Sequence, residues 1–79
     1  MTDINEIIDK KLISVKVGGK KYTYRAVFER DEDGRIVVEC PALEGCYTEG
    51  QTIEEAVEMI EDALQLTIES YLEEGDELP

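Results

Sequence analysis

The sequence predicts an α+β domain: a three-stranded antiparallel sheet packed against one long C-terminal helix, with a short helix fitting the N-terminal segment. Three observations lead there. From Leu12 to Cys40 apolar residues recur at every second position, as on strands with one buried face. Two glycine-bearing turns, Gly18-Gly19 and Asp31 to Gly34, cut that stretch into three. From Ile53 to Tyr71 the period lengthens to that of a helix. The 79 residues make a single domain, and a core of that size seldom contributes more than about 3–5 kcal/mol, so self-association is expected.

Residues 1–10 form an N-terminal arm. Ile4, Ile7 and Ile8 stand at helical spacing behind Asp3, with Glu6 three positions on, so a short helix or a frayed arm fits. Residues 11–40 hold the three strands. Ile13, Val15 and Val17 alternate with Ser14 and Lys16, and Gly18-Gly19 supplies a two-residue turn that sets Val17 opposite Lys20, Val15 opposite Tyr22 and Ile13 opposite Tyr24. The second strand continues that face through Ala26 and Phe28, and its length invites a bend or bulge. A three-residue loop, Glu32 to Gly34, then pairs Phe28 with Val38 and Ala26 with Cys40, whereas a loop one residue shorter or longer would set Phe28 against Glu39.

Pro41 has no N–H for a ladder, so residues 41–51 read as a crossing loop. The helix spans 52–74. Thr52 and Glu55 make a capping box, and Ile53, Ala56, Val57, Ile60, Ala63, Leu64, Thr67, Ile68 and Tyr71 form its apolar stripe. Gly75 stops the helix and residues 75–79 are a tail.

The net charge of −12 is unevenly placed. All eight Lys and Arg fall within residues 1–35, against seven acids there, while residues 36–79 carry thirteen acids and no base. Such a half repels nucleic-acid phosphate and suits a basic protein partner. The helix front carries Glu54, Glu58, Glu61, Asp62, Glu69 and Glu73 uncompensated. Lys16, Lys21 and Arg25 make the sheet back basic by the same reading, which favours head-to-tail assembly and leaves the oligomer symmetry open.

Catalysis finds little support. The chain has no histidine. Cys40 and Cys46 read as packing residues, thiols rather than a disulfide framework, and too isolated for a zinc site. Residues 29–40 place Asp31, Asp33 and Gly34 like part of a calcium loop but end in Cys40 where a bidentate carboxylate is required. No cofactor and no metal are expected. Without an 18-residue apolar run or a basic, apolar leader, the protein is expected to be cytoplasmic and to avoid membranes.

From Tyr24 to Pro79 the chain resembles the HicB antitoxin domain. The resemblance rests on Glu-Arg-Asp-Glu-Asp-Gly at 29–34, Val-Val-Glu-Cys-Pro-Ala-Leu-Glu-Gly-Cys at 37–46 and Thr-Glu-Gly-Gln-Thr-Ile-Glu-Glu-Ala at 48–56. Within these, Pro41, Leu43, Gly45, Gly50, Thr52, Glu55 and Ala56 stand in the order of that family's signature. Their first reading is structural: Gly45 and Gly50 release backbone strain on either side of the loop, and Thr52 starts the helix.

The resemblance implies a partial ribonuclease-H-like fold, a homo-oligomer, and neutralisation of a small basic toxin of the HicA type that cleaves messenger RNA. Glu39, Glu44 and Glu49 near the crossing loop, with Glu54, Glu58 and Glu61 on the helix, are the expected partner-binding residues. Family members commonly continue past the proline matching Pro79 into another strand and a DNA-binding segment. This sequence stops there, so direct DNA binding is not expected, and its extra N-terminal strand is expected to fill the missing strand's place beside residues 22–30. The alternative is a stand-alone regulator, homo-oligomeric and without a toxin, that binds a protein or small ligand. A metal-dependent nuclease is a third reading, one that predicts RNA cleavage by the chain alone.

Overall fold

A computed structural model describes residues 6–79. Four strands, β1 (Glu6–Val17), β2 (Lys20–Arg30), β3 (Ile36–Glu39) and β4 (Tyr47–Gly50), precede one helix, α1 (Ile53–Glu74). They form an antiparallel meander in the order β1-β2-β3-β4, with α1 lying across one face. Phe28, Ile36, Val38 and Cys40 from the sheet side meet Ala56, Ile60, Leu64 and Ile68 of the helix, and Leu43 and Cys46 from the intervening loop complete the core.

Both hairpin registers follow the turn chemistry. Gly18 and Gly19 sit at φ 60° and 80°, the left-handed pair a two-residue turn demands, and Val17, Val15 and Ile13 face Lys20, Tyr22 and Tyr24. In the second hairpin Asp31 accepts backbone N–H groups of Asp33 and Arg35 on one carboxylate oxygen, Gly34 takes φ 86°, and Phe28 faces Val38. The β2–β3 ladder ends at Val27 and Glu39, and Cys40 turns instead to the loop, donating its N–H to Cys46 at 2.9 Å.

Two elements depart from expectation. The sheet has four strands rather than three, because Tyr47–Gly50, assigned to the crossing loop, pairs with β3. Four residues ending in glycine are too few to show a period, and only the neighbouring strand's free hydrogen-bonding edge selects the extended form.

The N-terminal helix is also replaced by strand. Residues 6–10 extend β1 along the full length of β2, and the part of that expectation on residues 3–5 lies outside the described residues. The adjacent isoleucines that suggested helical spacing are accommodated by a bulge between Ile7 and Asp9. Ile8 packs against the core while Ile7 emerges on the opposite face, and Asp9 braces the bulge by accepting from the Lys10 N–H at 2.8 Å and pairing with Lys11. Those two contacts, the backbone one first, hold the Asp9 carboxyl below its ordinary range. β1 lies on the side of β2 away from β3, where the sequence put it.

Candidate partner-docking surface

The outward face of α1 is built by its caps and its stripe. Thr52 has extended backbone (φ −132°, ψ 165°) and its Oγ1 accepts from the Glu55 N–H at 3.0 Å. The Glu55 carboxylate reaches back to the N–H of Gln51 at 2.7 Å, one residue before the position a standard capping box uses. At the other end Gly75, at φ 74°, donates to the Leu72 carbonyl and Asp76 to that of Tyr71. The stripe read from the sequence is the face that turns inward. Glu54, Glu58, Glu61, Asp62 and Glu73 are left exposed, with no base in the last turn to offset them.

Two residues on this front escape a reading based on charge. Met59, 44% exposed, and Leu66, 66% exposed, stand seven apart, two turns along the same line. Leu66 borders a shallow depression of about 340 Å³ with Asp62, Gln65 and Glu69. Being out of phase with the buried stripe, both carried a signal: an apolar side chain where the period demands a polar one.

The six expected partner-binding acids do not form one surface. Glu54, Glu58 and Glu61 share the helix front, and Glu44 is exposed on the loop between β3 and β4. Glu39 and Glu49 instead point from β3 and β4 to the outer face of the sheet, with the sheet between them and the helix. Glu49 is moreover taken up by Arg35 at 2.7 Å. The sheet back is therefore not uniformly basic: Lys16, Lys21 and Arg25 occupy its hairpin end only.

The motif residues are structural in identifiable ways. Leu43 is buried, and the Leu43 and Cys46 N–H groups close successive tight turns onto the carbonyls of Cys40 and Leu43. Gly45 takes φ 82°, as a strain-releasing glycine should. Gly50 does not: its φ lies outside the left-handed region, and its role is close approach, since a Cβ there would stand 2.8 Å from the Ala56 nitrogen. Burial, followed by the neighbouring Cys46, pushes the Cys40 thiol up to about 12, which suits packing rather than nucleophilic attack. Burial likewise raises Tyr24, whose hydroxyl donates to the Pro79 carbonyl at 3.1 Å and ties the tail to β2.

Among the described residues no three His, Cys, Asp or Glu side chains converge as metal ligands, and no helix is long and apolar enough to cross a membrane.

The profile of the HicB-like antitoxin of bacterial toxin-antitoxin systems matches residues 24–79, from the middle of β2 to the tail. A UPF0150 protein of Synechocystis sp. is 40% identical over 58 residues, 73% of each chain. Another UPF0150 protein, from Thermoplasma acidophilum, is 41% identical over 71% of this chain and 81% of its own length. Antitoxin HicB 1 of Photorhabdus laumondii is 37% identical over 76% of this chain, which spans 39% of that protein. No solved structure matches.

Proposed function

Since the chain belongs to the HicB-like antitoxin family of bacterial toxin-antitoxin systems, we propose that it neutralises a small basic messenger-RNA-cleaving toxin of the HicA type by docking the front of α1 on the toxin's RNA-binding surface. One observation carries this reading: a long helix whose exposed face combines uncompensated acids with two apolar side chains, Met59 and Leu66. The acids match the charge that a ribonuclease offers to phosphate and raise the encounter rate. The apolar pair supplies the desolvated centre without which a rim of charges adds little affinity. Glu44, on the exposed loop, joins the rim in this reading; Glu39 and Glu49 do not, because the sheet separates them from the helix front.

The test is co-expression with the product of a neighbouring small basic open reading frame, followed by copurification and an RNA-cleavage assay. The wild type is expected to copurify and suppress cleavage, and Leu66→Lys to lose about tenfold or more in affinity, with its helical circular dichroism intact. Cleavage that continues unchanged in the presence of a stoichiometric, folded chain refutes the antitoxin role.

A further inference from the structure

The register of β3 and β4 reaches one step beyond the two strands. Val38 faces Thr48 and Glu39 faces Tyr47, so the same register sets Cys40 opposite Cys46, and the Cys40 N–H donates to the Cys46 carbonyl at 2.9 Å. In the sequence the two cysteines read as separate packing residues; the pairing of β4, which has no period of its own, brings them together. Residues bonded across antiparallel strands in this way stand about 5.5 Å apart at Cα and turn their side chains to one face. Here that face is the core: each cysteine is 1% exposed, and both are free thiols. The Cα separation of a disulfide centres on about 5.5–6 Å, so the backbone already stands where such a bond requires it. Residues 41–45 between them are closed by two tight turns, from the Leu43 N–H to the Cys40 carbonyl at 3.0 Å and from the Cys46 N–H to the Leu43 carbonyl at 3.2 Å. No further loop ordering is needed to join the sulfurs.

We propose that Cys40 and Cys46 are a redox-active dithiol, closed to an intrachain disulfide by a low-molecular-weight disulfide of the glutathione class. Of residues 41–45 only Leu43 is buried, so lifting that one side chain opens the loop that joins the two cysteines. Burial raises the Cys40 thiol and keeps its proton in place, which leaves the first attack to Cys46. With the loop open, the Cys46 thiol gives its proton to solvent and its thiolate attacks one sulfur of oxidised glutathione, forming a mixed disulfide and releasing one glutathione thiolate. When the loop recloses, the Cys40 sulfur attacks the Cys46 sulfur as its own proton leaves, and the second glutathione departs as thiolate. The two glutathione thiolates take up the two protons. In sum the protein's two thiols lose two electrons and two protons, and one glutathione disulfide becomes two thiols. A metal is the other use of facing thiols, but among the described residues no third ligand converges on them. The closed ring holds Leu43 and its loop against the core, and reduction releases them.

The proposal concerns the purified chain alone and stands apart from the antitoxin reading. Wild type is equilibrated in glutathione buffers of rising oxidised fraction, then denatured and alkylated. It is expected to pass from two free thiols to none, with a mass lower by two hydrogen atoms and a proteolytic fragment that links Cys40 to Cys46. The oxidised chain is expected to melt higher than the reduced one by roughly 5 °C or more, and dithiothreitol to reverse both changes. Cys40→Ala is expected to stop at the glutathione adduct of Cys46 and Cys46→Ala to stay unmodified; the reverse pattern overturns the assigned order. A wild type that keeps both thiols in the most oxidising buffer overturns the proposal itself. So does oxidation that yields only glutathione adducts or disulfides between chains, or an oxidised chain that melts below the reduced one, because its fold must then distort to close the bond.

Discussion

At Gly50 the constraint comes from a neighbour and not from φ. Adding a Cβ would bring it within 2.8 Å of the Ala56 nitrogen and 3.1 Å of the Ala56 Cα, backbone atoms in the first turn of α1 that cannot step aside. Gly50→Ala should therefore force β4 and α1 apart and cost about 1–3 kcal/mol, to be read from urea denaturation; an unchanged midpoint would mean that the junction is softer than its contacts indicate. Cys40 illustrates a different residue-scale effect. Its thiol holds its proton in the fold up to about pH 12, whereas in the unfolded chain it ionises near its ordinary value of 9.0. Between those values the folded state binds the extra proton, so stability is intact below about pH 9 and falls as pH climbs toward 12. Denaturation midpoints of wild type and Cys40→Ala across that range are expected to converge as pH rises. Parallel curves would show that the thiol does not contribute to the slope.

Among elements, α1 and the first hairpin were legible because local chemistry and tertiary packing agree. A Gly-Gly turn admits one register, and nine apolar positions at helical spacing admit one buried face. Thr52→Ala removes the acceptor for the Glu55 N–H and is expected to cost about 1 kcal/mol, seen as a lowered melting temperature with unchanged helix content at low temperature; no shift would show that the Glu55–Gln51 bond alone holds the helix start. β4 was not legible. Its four residues carry no period of their own, and its conformation depends on the edge that β3 offers. The N-terminal segment failed for a related reason: Ile7 and Ile8 side by side fit a helix better than a regular strand, and only a bulge lets a strand contain them. Missing β4 also misassigned Glu49 and Tyr47, since a residue in a loop has no face, whereas one on a strand has a definite one.

At the scale of the whole molecule, charge read along the chain divided it into a nearly balanced first part, which holds every Lys and Arg, and an acidic second part. In three dimensions the division is different. The acids of residues 36–79 separate into a helix front and one end of the sheet back, because β3 and β4 turn Glu39 and Glu49 away from α1. The two surfaces can therefore act independently, and a test of one leaves the other intact.

That α1 and the outer sheet face lie on opposite sides of a slab only 15 Å thick has a consequence for valency. A ligand seated on the front of α1 leaves the whole uncovered face of the sheet open to solvent, so both sides can be engaged at once without competing for the same side chains.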